Sequence, residues 1–485
     1  MLQVRISVPS GSGETLLLPE HSKVGDLRIL AQKTFRKGFL KLVTVEGHVL
    51  TNPQESLQAA GMQDGEDLAA VVQDAKISSS GKAFSLWCGG GNRLVTWGNP
   101  RWGADCGAVE CELKNVERVQ ATLYAFAAIL SDGSVVSWGH RDNGGDCSAV
   151  QDQLKNVQQI QATHVAFAAI LADGCVVTWG DPGNGGDCSA VQDQLKNVQQ
   201  IQATESAFAA ILADGCVVTW GDPDNGGDCS AVQDQLRNVQ QIQVTEGAFA
   251  AILADGSVVA WGHPFLGGDC FAVQDQLKNV QQIQATAWAF SAILSDGSVV
   301  SWGHPDPGGN SSGVQDQLRN VQQLQSTDSA FAAILANGSV VTWGDPYNGG
   351  DCSAVQGQLR NVQQIQSTSC AFAAILSDGS VVSWGHPDAG GNSSGVQDQL
   401  RNVQQLQSTD SAFAAILSDG SVVAWGNPNT GGDCSAVQDQ LRNVQQLQST
   451  DSAFAAILAN GSVVTWGDPD NGGDSSAVQD ELQYL

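Results

Sequence analysis

The chain has 485 residues, enough for more than one domain, and sets 22 Lys/Arg against 50 Asp/Glu for a net charge of −28. The acid is unevenly placed: residues 1–73 hold seven basic and eight acidic residues, leaving 15 basic and 42 acidic for the remainder. Such a surface repels nucleic-acid phosphates and anionic membranes and steers a basic protein toward it. No stretch approaches the ~20 apolar residues that span a bilayer, and Met1 leads into a strand-like segment rather than a basic and apolar leader. The expected location is therefore cytoplasmic or nuclear, without a membrane or direct nucleic-acid partner.

In chain order, Leu2–Val8 alternates as a strand, Gly11–Gly13 turns, and Glu14–Leu18 is a second strand. Val24, Leu27, Leu30, Ala31 and Phe35 recur at helical spacing. Leu40–Val45 reads as a strand, Gly47 as a turn, and His48–Leu50 as a short extended piece. Ser56–Met62 is expected to form a short helical turn, and Leu68–Val72 a final strand.

From that point one unit repeats. Trp97, Trp138, Trp179, Trp220, Trp261, Trp302, Trp343, Trp384, Trp425 and Trp466 are each followed by Gly and stand 41 residues apart. A period of this length marks a propeller, solenoid or other array. In one copy, Val198–Ala203 reads as a strand with one wet face, and its Val-x-x-Ile spacing breaks period two, so a bulge is expected. Phe208–Leu212 and Val217–Trp220 read as a hairpin joined at Asp214-Gly215, where positive φ is needed. A Gly/Pro-rich loop and a short Ala-Val-Gln-Asp-Gln-Leu turn complete the copy. The first copy is degenerate, with Ala83–Asn92 shifted by a residue before Trp97. Blocks Gly308–Leu335 and Gly390–Leu417 are identical and 82 apart, so units were copied in pairs.

Residues 1–73 resemble the ubiquitin-like fold through the opening hairpin, the single main helix, the Val45–Leu50 element and the Leu57, Met62, Leu68 series. The resemblance implies a docking module or a folded cap on the array. Two features depart from the family. The segment runs on through Val72-Gln-Asp-Ala-Lys76 instead of ending in Gly-Gly, and Thr44 stands where the family carries a large apolar contact residue.

Residues 74–485 resemble RCC1-like repeats through Val198, Ile201, Phe208, Ala210, Asp214, Gly215, Val217, Trp220, Gly221, Gly226 and Gly227, recurring ten times. The implied fold class is mainly β: an RCC1-like β-propeller or propeller-like array of ten 41-residue repeats behind a small α+β, β-grasp domain. Known members act as exchange factors, light receptors, inhibitors or substrate-binding parts of ubiquitin ligases. Here Thr204 and Ala207 replace the family's usual Gly and His, and ten short repeats replace the usual seven.

The copies differ mainly in two loops, and a constant scaffold with variable loops is how binding surfaces are built. Between the first and second strands these include Tyr124, His164, Glu205, Glu246, Trp288 and Asp328; after Trp-Gly they include Trp102, Phe265 and Tyr347. These nine are the candidate partner-binding residues, since aromatics favour interface anchors. The repeated Trp residues are expected to be structural, packed between units.

Cys147, Cys188, Cys229, Cys270, Cys352 and Cys434 share one position that Ser311, Ser393 and Ser475 fill elsewhere, and no Cys-x-x-Cys occurs. Structural thiols are expected, with no metal. The Asp222–Asp228 loop has calcium-like spacing, but most copies lose its acids, so a turn is the better account. No catalytic motif or cofactor signature is present. The expected function is a non-enzymatic protein-interaction scaffold; the alternative is a small-GTPase regulator or a substrate-recruiting component of a ubiquitin ligase system.

Overall fold

The computed structural model describes every residue except Ser10, Arg36, Gly90, Asn92 and Tyr484. Strands β1 (Leu2–Ser7), β2 (Gly13–Leu18), β3 (Leu40–Thr44) and β4 (Glu66–Val72) form one sheet in the order β2-β1-β4-β3. β1 and β4 run parallel and the other pairs antiparallel. Helix α1 (Val24–Phe35) covers one face, and Val4, Ile6, Leu16, Leu27, Leu42 and Leu68 form the core between them.

Two sequence expectations need correction here. His48–Leu50 contributes a single bridge, Val43 to Val49, rather than a strand. Ser56–Met62 forms turns rather than a helix, because Ala60 N–H bonds back to Ser56 O but Gly61 closes onto Gln58 and takes a φ of +82°.

The remainder is ten three-stranded antiparallel sheets, each in simple meander order. They are numbered here by their Trp, from unit 1 (Trp97) to unit 10 (Trp466). In unit 4 the strands are Val198–Ala203, Ala207–Leu212 and Val217–Gly221. The expected bulge is present: Val198 pairs with Leu212, but Gln200 pairs with Ile211. The extra residue turns Val198 and Ile201 inward together, and both are buried.

The hairpin turn uses one positive φ rather than two. Gly215 has a φ of +78° and its N–H donates to Leu212 O at 2.9 Å, while Asp214 Oδ1 accepts from Cys216 N at 2.9 Å. This is a type I turn followed by a left-handed Gly, so Asp214 serves through its side chain. In unit 1 the extra residue sits in this turn, between Trp87 and Leu94, and its first strand pairs without the bulge. Gly90 and Asn92 of that turn lie outside the described residues.

Neighbouring units share cores. Trp220 stacks on Phe208 of its own unit at 5.2 Å, is 4% exposed, and its indole Nε1 donates to Gly185 O of unit 3 at 3.1 Å. The equivalent indole bond recurs at the repeat Trp of the other units from 2 to 10: Trp138, Trp179, Trp261, Trp302, Trp343, Trp384, Trp425 and Trp466 all donate to the preceding unit's Gly. That Gly must be Gly. Gly226 has a φ of +97°, and a Cβ on it would stand 2.5 Å from Phe249 Cδ2 of unit 5.

The third strand is an exposed sheet edge in principle, and units 2 to 10 each cover their own. Gln233 Nε2 donates to Val217 O at 3.0 Å while its Oε1 accepts from Cys229 Sγ at 3.0 Å. Ser311 makes the same bond to Gln315 at 3.1 Å, which explains why Ser and Cys interchange. All twelve cysteines are free thiols.

The two ends of the array meet. Trp97 Nε1 of unit 1 donates to Gly472 O of unit 10 at 3.2 Å, the same bond that joins consecutive units. No helix is long and apolar enough to cross a membrane, among the described residues.

Candidate functional site: the channel mouth and loop face

Consecutive first strands lie against one another along the array, and the loops that follow them converge. One position from each unit, Gly81, Leu123, His164, Glu205, Glu246, Ala287, Asp328, Ser369, Asp410 and Asp451, lines a cavity of about 780 Å³. Backbone hydrogen bonds link these positions from unit to unit: Leu123 N to His164 O at 3.1 Å, Glu205 N to Glu246 O at 3.0 Å, and onward to Asp451 N and Gly81 O at 3.2 Å. The loop therefore varies in side chain but not in backbone path.

Thr204, the residue that departs from the family pattern, ties the two variable loops together. Its Oγ1 accepts from Ala207 N at 3.0 Å and lies 3.2 Å from Asn225 O, to which it donates. Thr122, Thr163, Thr245, Thr286, Thr327, Thr368, Thr409 and Thr450 do the same across to the second loop of their own units. Both variable loops thus lie on one face, around the channel mouth.

Of the nine candidate residues, His164, Glu205, Glu246 and Asp328 line the mouth. Tyr124 and Trp288 stand one position further along that loop, and Trp102, Phe265 and Tyr347 lie on the second loop. Trp102 and Tyr124 pack together with centroids 4.1 Å apart, and Lys82 Nζ sits 4.6 Å over Trp102. Trp288 donates its indole N–H to Glu246 Oε2 at 2.8 Å. Phe265 and Tyr347 are 72% and 80% exposed, and the Phe265 ring leans on His263 with centroids 6.1 Å apart.

The mouth is short of cations. His164 Nε2 lies 3.6 Å from Glu205 Oε1, and burial lowers the proton affinity of this imidazole, with Glu246 opposing. Burial pushes Glu205, Glu246 and Asp328 above the usual carboxylate range. Asp410 is raised to about 6, by burial and then by Asp328. Asp451 is raised to about 7, by burial and then by Asp410, with Lys82 opposing. These carboxylates crowd one another at a partly desolvated rim, where an arriving positive charge lowers their energy.

Sequence comparison of the copies missed Asp410 and Asp451, whose significance comes from their neighbours in other units. It also missed Phe271, 88% exposed at a position where most copies carry Ser; a lone Phe at that position was the available signal. The calcium-like loop is a turn. Asp222 Oδ1 accepts from Asp224 N at 3.0 Å and Asp228 Oδ1 from Ser230 N at 2.8 Å, so these acids are engaged locally. Among the described residues no group of three or more His, Cys, Asp or Glu is placed to hold a metal.

No protein-family model matches the chain, and no curated protein matches it. Among solved structures the array is distantly similar to Prp20p from Saccharomyces cerevisiae, at 17% identity and a TM-score of 0.32, over 56% of this chain and 82% of that one. It is similar also to the CRINKLY WD40 ectodomain of the Arabidopsis thaliana receptor kinase ACR4, at 17% identity and a TM-score of 0.29, over 55% and 96%. The amino-terminal part is similar to the ubiquitin-like domain of the 4931431F19Rik protein, at 26% identity and a TM-score of 0.14, over 16% of this chain and 82% of that one.

Proposed function

We propose that the protein is a non-enzymatic interaction scaffold, a ten-bladed propeller whose channel-mouth face binds a basic protein partner in the cytoplasm or nucleus. One observation carries this reading: both variable loops of the units gather on a single face, over a backbone that hydrogen bonds hold constant from unit to unit. The rim offers Phe265, Trp288 and Tyr347 as exposed aromatic anchors beside Glu205, Glu246 and Asp328. The acidic charge of the array favours a partner of opposite sign.

The test compares wild-type full chain with the triple variant Phe265→Ala, Trp288→Ala, Tyr347→Ala in quantitative cross-linking capture. Loss of a defined set of partners by the variant, each loss worth about 2 kcal/mol for a true anchor, is expected. An unchanged set overturns the reading. A second reading is regulation of a small GTPase: Prp20p binds Gsp1p and histones. Accelerated nucleotide release from a panel of small GTPases would favour it, and no acceleration would remove it. Recruitment to ubiquitin machinery is the third, tested by binding of the same full chain to ubiquitin receptors.

A further inference from the structure

The junction between units 10 and 1 is built differently from the other inter-unit junctions. From unit 2 to unit 10, the hairpin Gly of one unit lies against the Asn-Val that starts the next unit. A Cβ on Gly174 would stand 2.8 Å from Asn197 Cα, and Val198 N donates to Gly174 O at 2.9 Å. That Asn holds a φ of +57°, and eight other units repeat it. In unit 10 the corresponding Gly is Gly461, and the amino-terminal domain lies against it. A Cβ on Gly461 would stand 3.1 Å from Phe39 N and 3.2 Å from Gly38 Cα.

Phe39 itself leaves its own domain. It is 2% exposed and belongs not to the β-grasp core but to the core between units 10 and 1, with Phe84, Trp97, Ala455, Ile457, Leu482 and Leu485. Among the described residues, none of the other inter-unit cores draws on the amino-terminal domain. Helix α1 straddles the same seam. Its Gln32 and Lys33 border a 260 Å³ cavity against Asn460–Val463 of unit 10. Its Arg28 borders a 230 Å³ cavity against Cys88 and Arg93 of unit 1. Gln73 N donates to Phe39 O at 2.8 Å, fixing the Gly38–Phe39 corner to the chain that enters unit 1.

We propose that the amino-terminal domain is the clasp of the array: α1 and the Gly38–Phe39 corner form an interaction surface whose partner is the seam between the last unit and the first. The covalent chain joins every other pair of neighbouring units, and this pair alone depends on non-covalent closure. A protein that takes the Gly38–Phe39 corner competes with the seam, so its binding is coupled to seam opening by thermodynamic linkage. The ubiquitin-like domain and the channel-mouth face are then two ends of one equilibrium.

Cys88 is a built-in reporter. It is 1% exposed at the seam, its thiol is pushed up to about 12 mainly by burial, and it borders the cavity beneath α1, so it reacts once the domain undocks, while exchange at residues 451–458 reads whether the seam opens with it. Cys188 and Cys229 are 4% exposed in interior cores and serve as controls in the same molecule. The experiment labels the full-length protein with maleimide under native conditions, with mass spectrometry at each Cys, for wild type, Phe39→Ala and Phe39→Leu. Hydrogen exchange at residues 451–458 against 246–253 is read in parallel.

The clasp requires Cys88 labelling to rise about a hundredfold in F39A, to fall back most of the way in F39L, and exchange to rise at 451–458 alone. Equal protection of Cys88 in F39A overturns the proposal. So does labelling of Cys229 in step with Cys88, which would make Phe39 a general stability residue. Faster Cys88 labelling with unchanged exchange at 451–458 overturns it too, because the domain would then undock without opening the seam.

Discussion

Two junctions of the same array, the interior one between units 3 and 4 and the seam between units 10 and 1, use the same indole bond and differ in what surrounds it. Trp220 reaches Gly185 O at 3.1 Å inside a core supplied wholly by the array; Trp97 reaches Gly472 O at 3.2 Å inside a core that borrows Phe39. The interior junction is specified by adjacent sequence and repeats without change. The seam has no successor unit to supply a complete Asn-Val start, and a different domain fills part of that space. In an array of near-identical modules, the individuality lies at the ends and the loops.

Truncating the two tryptophans should separate these junctions. Trp220→Ala removes a stacked, buried indole and should cost about 3–5 kcal/mol, lowering the main cooperative transition in thermal unfolding. Trp97→Ala removes as much surface, but the remaining junctions stay intact. It should therefore split the melt, adding an early low-enthalpy step in which Cys88 becomes reactive while the main transition holds its place. A single shifted transition in both variants would show that seam and interior are one cooperative unit.

Much of the interior junction is legible from residues alone. The 41-residue period, the Asp-Gly turn and the Val-x-x-Ile bulge follow from one copy's pattern, because each is local. The Ser/Cys exchange was legible as a tolerance, though its cause, a glutamine that accepts from either side chain, requires the fold. The seam was not legible. Val24, Leu27, Leu30, Ala31 and Phe35 mark the helix's inner face and say nothing of Arg28 and Gln32; these are 6% and 7% exposed, Arg28 donating to Leu50 O at 2.8 Å in its own domain and both bordering cavities against the array. Phe39 follows Gly38 at the start of β3, and nothing in its local pattern marks it for a core outside its own domain. The acid rim was half legible: Glu205 and Asp328 vary in place, but only the rotation from unit to unit brings residues 41 apart to one mouth.

The rim also distinguishes the seam from the interior by pH. Asp451 meets Gly81 across the seam, faces Asp410 and Lys82, and has its carboxyl raised to about 7 from the ordinary 3.8. The folded state thus binds this proton more tightly than the unfolded chain. The stability it adds is complete below about pH 4 and is lost as pH rises through about 7. Asp451→Asn keeps the shape and removes the charge. Its Tm should match wild type near pH 4 and exceed it by about 2 °C near pH 8, and Cys88 labelling at the higher pH should slow. A variant that is more stable at pH 4 but not at pH 8 would reverse the sign and the argument.

The smallest effect should come from Cys229→Ser, deep in an interior junction. Burial alone argues for a loss, since a hydroxyl in an apolar core costs free energy when unpaired. Here it is paired in advance. Cys229 Sγ already donates to Gln233 Oε1, and Gln233 Nε2 holds Val217 O, while units 6 and 8 run the same chain of bonds through Ser311 to Gln315 and through Ser393 to Gln397. The substitution should therefore shift stability by less than about 1 kcal/mol. Gln233→Leu should instead cost more than Cys229→Ser, because it strands Val217 O on the covered edge. If the serine variant proved the costlier of the two, packing around the sulfur rather than the hydrogen-bonded chain would be what each unit preserves.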